Sequence, residues 1–123
     1  MGATYVTARL RRATEEPGLS IRLLVDTGAL FSVLPTKSWK ALRLQPERTA
    51  EFVLADGTSI ERGVSECRFE IEGSAATSPV VLGEANDGAL LGAVTLETLG
   101  LMLHPLTREV LPMRLMLAAA LPS

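Results

Sequence analysis

Apolar and polar residues alternate in short runs along this chain, and a turn signal cuts almost every run. From Tyr5 to Arg11, Val6, Ala8 and Leu10 fall on one side and Thr7, Arg9 and Arg11 on the other, the pattern of a half-buried strand. "EEPGLS" ends it as a hairpin turn, and Ile21–Val25 is a short apolar run expected to be buried on both faces. Asp56-Gly57, set between apolar flanks, is a hairpin signal. Cys67, Phe69 and Ile71 alternate with Arg68, Glu70 and Glu72, "EGSAATSP" reads as a loop, and Val80–Leu82 as a further strand. "LMLHP" and "EVLPMRLML" read as closing strands.

Two short helices interrupt this rhythm. Pro35 and Thr36 open one, with Thr36 as N-cap and Trp39 and Leu42 on its inner face. The other runs from about Ala93 to Leu99, with Gly100 suited to the C′ position. Strands punctuated about every ten residues, with one or two short helices, predict an all-β barrel or sandwich.

The 123 residues predict a single domain covering 1–123. Hydrophobic residues make up 47% and charged ones 21%, ordinary for a globular chain, and the net charge of −2 gives no reason to expect nucleic acid or an anionic membrane as partner. The lone Cys67 permits no intrachain disulfide, and the start lacks the apolar core of a signal peptide. "LMLAAALP" is too short to span a bilayer, so the expectation is a soluble, cytoplasmic protein.

Against this background Asp26 is conspicuous. It follows Leu23, Leu24 and Val25 and precedes Phe31, Val33 and Leu34, so the chain carries an acid into an apolar stretch. A buried carboxylate must be paired, hydrogen-bonded or protonated. As a bare tripeptide, Asp-Thr-Gly also suits a plain turn.

The wider context resembles a known family. Apolar-apolar-Asp-Thr-Gly-Ala, at Leu24 to Ala29, resembles the active-site loop of the aspartic proteases, and the Ala resembles their retroviral, single-domain branch. "ALLGAVTLETLGL" resembles that branch's second signature, with Leu90, Leu91 and Gly92 leading into a short helix. "LADGTSIERG" lies between them, where the family carries its flap hairpin. The chain looks most like the small retropepsin-like (clan AA) proteases of bacteria and archaea.

The resemblance implies a closed, retropepsin-like β-barrel with one lobe per chain. It implies a homodimer in which two copies of Asp26 meet on a two-fold axis. Two carboxylates in contact hold one proton between them; one acts as base on a water, the other protonates the peptide carbonyl. No metal or other cofactor is expected. Thr27 would lock the two loops across the axis, and Gly28 would let the backbone bond the carboxylate. Ala29 lacks the hydroxyl that would lower the acid's pKa. Ala55, Asp56, Gly57 and Thr58 would form the flap over a peptide or protein substrate, while Leu91 and Gly92 would pack behind the active-site loop. The tail from Val110 to Leu117 would supply interchain strands, although Pro112 indicates an edge or irregular strand.

Two departures bear on substrate preference. A Trp-bearing helix precedes the flap, and the flap is polar rather than glycine-rich. Elsewhere the residues read as bland: His104 as a surface or structural histidine, Cys67 as buried and inert, and Glu15-Glu16 and Glu61-Arg62 as solvated loop charges. "GEANDG" lacks calcium-loop spacing. The second functional expectation is a retropepsin fold serving as a dimerisation or peptide-binding module with little or no proteolysis.

Overall fold

The computed structural model describes residues 2–113. Its elements run β1 (Tyr5–Arg11), β2 (Leu19–Val25), β3 (Ser32–Leu34), α1 (Thr36–Ala41), β4 (Arg48–Val53), β5 (Ser59–Ile71), β6 (Ser74–Leu82), β7 (Leu90–Leu91), α2 (Ala93–Thr98), β8 (Leu101–Leu103) and β9 (Val110–Pro112). Hydrogen bonding follows the order β1-β2-β7-β3-β6-β5-β4, and a further pairing of β1 with β5 closes the first six into a ring. β4 stands outside that ring, hydrogen-bonded to β5, and β8 pairs with β9 in a small separate ladder. The result is a six-stranded β-barrel with two short helices.

Period-two patterning explains the barrel interior. Ala8 and Leu10 of β1, Leu23 and Val25 of β2, and Cys67, Phe69 and Ile71 of β5 are all buried. Phe69 sits at the closure, opposite Leu10 on one neighbouring strand and Ala76 on the other. Leu34, Val80, Leu91, Leu96 and Leu101 complete the packing from the other side.

The structure corrects several local expectations. β2 is buried on one face, not both: Leu23 and Val25 point inward, while Arg22 is exposed with its guanidinium 3.9 Å from the centre of the Tyr5 ring. "SAATSP" belongs to β6 rather than to a loop, because the reversal needs only Glu72 and Gly73, both at positive φ as a tight two-residue hairpin requires. Small residues hide that strand's alternation, yet Ser78 is fully buried within it. Pro35, not Thr36, is the N-cap of α1. The Thr36 hydroxyl and the Trp39 indole N–H both donate to the carbonyl of Gly83, at 3.0 and 2.8 Å, and so pin the helix to the end of β6. Glu16 is no solvated charge; it pairs with Arg12 and Arg43, which hold its carboxyl below the usual range.

Other features lie where the sequence put them. α2 ends before Gly100, which takes a φ of 72° beyond the C-cap Leu99. His104 is structural: its Nδ1 accepts the N–H groups of Leu106 and Thr107 in the turn between β8 and β9. Cys67 is buried, and burial pushes its thiol up to about 12, which leaves it unreactive. Pro112 lies at the end of β9, and residues 114–117 of the proposed interchain segment are outside the described residues. Among the described residues no helix is long and apolar enough to cross a membrane.

Because Phe69 fills the seam where the ring closes, Phe69→Ala is expected to destabilise the fold by about 3–5 kcal/mol. Chemical denaturation followed by Trp39 fluorescence checks this; a loss under about 1 kcal/mol would mean the seam does not depend on that ring.

Candidate active site

β2 and β3 are consecutive but not paired. β7 inserts between them, parallel to β2 (Val25 opposite Leu91) and antiparallel to β3 (Val33 opposite Leu90). The segment that joins β2 to β3, residues 26–31, must therefore arch over the end of β7, and Asp26 is its first residue. The Asp26 N–H donates to the Leu91 carbonyl at 3.0 Å. The arch tightens on itself: Ala29 N–H donates to the Asp26 carbonyl at 3.1 Å, and Gly28 N–H to Asp26 Oδ1 at 3.0 Å. Asp26 and Ala29 are half-buried, while Thr27 and Gly28 are exposed. The acid is thus not swallowed by its own barrel; it sits at an open end beside an exposed Thr-Gly.

α2 supports the arch from behind. A helix N-terminus has N–H groups without intrahelical partners, and the N-cap here, Gly92, offers no side chain to satisfy them. The arch does so instead: Ala93 N–H donates to the Ala29 carbonyl at 2.9 Å and Val94 N–H to the Leu30 carbonyl at 3.0 Å. Such close backbone contact leaves no room for a side chain at Gly92, where a Cβ would lie 2.5 Å from the Phe31 carbonyl carbon. Leu91 is fully buried beneath.

A cluster of three buried hydroxyls, which sequence reasoning missed, secures this junction. Gly92 N–H donates to Ser32 Oγ at 3.0 Å; Ser32 Oγ lies 2.6 Å from Thr95 Oγ1, which lies 2.8 Å from Ser78 Oγ. Ser78 in turn donates to the Pro79 carbonyl at 3.2 Å. Running the donors from Gly92 through Ser32 and Thr95 to Ser78 satisfies every group in the chain. Ser32 alternates with the buried Leu34, and Thr95 lies four residues before the buried Leu99, so both are polar residues at inward-facing positions. That was the available signal.

The β4–β5 hairpin faces the arch. At its tip Leu54 N–H donates to the Thr58 carbonyl at 2.7 Å, and the Asp56 carboxylate accepts from Thr58 N–H and Oγ1, at 3.0 and 2.7 Å. Those bonds hold the Asp56 carboxyl below its ordinary range. Ala55, Asp56, Gly57 and Thr58 are all exposed. Between hairpin and arch lies a cleft of about 440 Å³, walled by Gly28, Ala29, Phe31, Phe52, Leu54 and Ile60 among others. Phe31 and Phe52 meet edge to face across it, with centroids 6.3 Å apart. The tip residues 55–58 do not line it; the hairpin stem does. Among the described residues no three His, Cys, Asp or Glu side chains cluster as a metal would need.

An Asp-Thr-Gly arch cradled by a Gly-headed helix and roofed by a hairpin is the architecture of an aspartic protease. The chain belongs to the aspartyl protease family, whose sequence model matches residues 13–105. Its fold is similar to two retroviral proteases. One is EIAV protease, solved with the inhibitor HBY-793: TM-score 0.63 at 19% identity, covering 80% of this chain and 89% of that one. The other is simian foamy virus (mac) protease: TM-score 0.56 at 17% identity, covering 76% of this chain and 92% of that one. Among curated proteins none matches the sequence.

Thr95→Val removes the central hydroxyl and leaves Ser32 and Ser78 short of partners. It is expected to cost about 1–3 kcal/mol, whereas Thr95→Ser is expected to keep most of the stability. Hydrogen exchange at the Gly92 amide reports the site directly: unchanged protection in Thr95→Val would show that the cluster does not hold the junction.

Proposed function

We propose that the chain is an aspartic endopeptidase that works as a homodimer, with 1–123 forming one retropepsin-like domain and Asp26 of each copy meeting at the shared axis. The observation that carries this reading is the arch itself. It presents one acid, at an open end of the barrel, next to the exposed Thr27 and Gly28. One carboxylate cannot be both base and acid in a single step, so a second copy must supply the other half. Thr27, exposed beside it, is placed to bond across the axis.

In the assembled site two carboxylates share one proton, since the second ionisation is opposed by the first. The ionised acid takes a proton from water as the oxygen attacks the peptide carbonyl. The protonated acid gives its proton to the carbonyl oxygen. The first acid then passes the proton it took from water to the amide nitrogen, while the second recovers one from a hydroxyl of the tetrahedral intermediate. The C–N bond breaks to release the amine and the acid product. Gly28 N–H, bonded to Oδ1, keeps one carboxylate oxygen oriented throughout. The hairpin carrying Ala55–Thr58 would close over the bound peptide and exclude water. The apolar wall of the cleft suits a large hydrophobic side chain.

Wild type is expected to sediment as a dimer and to cleave peptides, and Asp26→Asn to lose activity by at least roughly 10²–10⁴-fold with the dimer retained. Equal cleavage by both forms would end the protease reading, and a dimer that binds peptides without cutting them would favour the binding-module reading. Ala29→Ser adds a hydroxyl that can donate to the anionic carboxylate. Such a bond stabilises the charged form, so the acid limb of the pH–rate profile is expected to move to lower pH. An unmoved acid limb would show that position 29 does not reach the dyad.

A further inference from the structure

The residues of β5 alternate, and Arg62 falls on the face opposite Cys67, Phe69 and Ile71, which at the hairpin stem fronts the cleft rather than the barrel interior. Ile60, Arg62 and Val64 share a face, where Val64 is buried and Ile60 half-buried. The Arg62 side chain keeps only 20% of its exposure, against the solvated charge expected from sequence. It lines the cleft, where it and Asp87 are the two charged residues in a wall that is otherwise apolar or glycine.

A guanidinium in that position has lost much of its water and has five N–H groups to satisfy. Among the described residues it makes one hydrogen bond, from Nη1 to the Glu61 carbonyl at 2.9 Å. The nearby carboxylates are poor partners: Glu84 Oε1 is 3.4 Å from Nη2 and Asp87 Oδ2 is 3.9 Å from Nε. Asp87 Oδ2 is committed elsewhere, accepting the Glu84 N–H at 2.7 Å. Glu84 has a side chain 73% exposed and can return to water without cost to the loop. The fork of Arg62, a residue of the cleft wall, is therefore loosely held by its neighbouring carboxylates.

We propose that Arg62 is a specificity-determining residue that selects peptides carrying an Asp or Glu side chain next to the apolar residue seated against Phe31 and Phe52. The inference rests on the protease reading for its substrate but not for its chemistry. A guanidinium fork matches a carboxylate with two parallel N–H···O bonds, and partial burial strengthens them. The incoming carboxylate replaces that of Glu84 at Nη2. Asp87 stays on its backbone partner and holds the 83–88 loop in place.

The test uses a mixture of short peptides with a central pair of large apolar residues and one randomised flanking position. Wild type, Arg62→Lys, Arg62→Gln and Arg62→Glu are incubated with it, and products are read by mass spectrometry. Wild type is expected to favour Asp and Glu over Asn and Gln by about tenfold, as loss of a charge-assisted bond implies. The preference weakens in Arg62→Lys, vanishes in Arg62→Gln and turns to Lys and Arg in Arg62→Glu, while the central apolar preference stays. The same mixture is passed over immobilised Asp26→Asn protein, with and without Arg62→Gln, so that selection is read by retention without catalysis. Arg62-dependent retention of acidic peptides with no wild-type cleavage would sink the protease reading and leave this one standing. A flanking profile that is the same in wild type and Arg62→Gln, in cleavage and in retention, would overturn it and reduce Arg62 to a brace between β5 and the 83–88 loop. Melting temperatures of the variants separate misfolding from altered selection, and Arg62→Gln alone suffices if Arg62→Glu does not fold.

Discussion

Two N–H groups at the start of α2 and two carbonyls of the Asp26 arch satisfy each other, and the working end of the molecule depends on that exchange. Neither partner has another ready solution. The helix begins at Gly92 without a capping side chain, and the arch crosses the end of β7 with the Ala29 and Leu30 carbonyls turned to the helix. An uncapped helix end and an irregular loop are each costly when shielded from water. Together they form a rigid unit. Gly92 is fixed by this arrangement, because the two backbones approach too closely for any Cβ.

The hydroxyls of Ser32, Thr95 and Ser78 extend the same logic inward. Three elements far apart in sequence, β3, α2 and β6, each bring one buried oxygen to a single point. A hydrocarbon core would pack there without fixing direction. Hydrogen bonds impose geometry as well as adhesion, and the arch must hold its acid at a defined angle. The cost of burying polar groups is thus met by full satisfaction at the place where positional accuracy matters.

Much of this was legible in the sequence, where local rules and global packing agree. The alternation in β1 and in the Cys67–Ile71 stretch, the Asp56-Gly57 turn and the Gly100 helix stop all follow from period, turn chemistry and capping. Legibility failed where the signal is a contact rather than a pattern. Ser74–Ser78 alternates in small residues whose hydropathy barely differs, so a strand looked like a loop. Arg62 looked solvated because its neighbours Glu61 and Gly63 are polar or small, and only the pairing of β5 with β4 and β6 sets its face against the cleft. The site was readable as a motif, through Asp26, Thr27 and Gly28. The support behind it was not, since serine and threonine carry no mark of burial until their partners are known.

Trp39 gives the molecule a property of another kind. It is the single tryptophan of the chain, half-buried, and its indole N–H is tied to the carbonyl of Gly83. The turn that begins at Gly83 leads to Asp87 and Gly88 in the wall of the cleft. A displacement of that wall is therefore transmitted to the single indole of the chain through one hydrogen bond. The colour and intensity of its emission would then serve as an intrinsic optical gauge of any ligand that moves this wall, legible in the unlabelled protein and independent of whether any bond is cut.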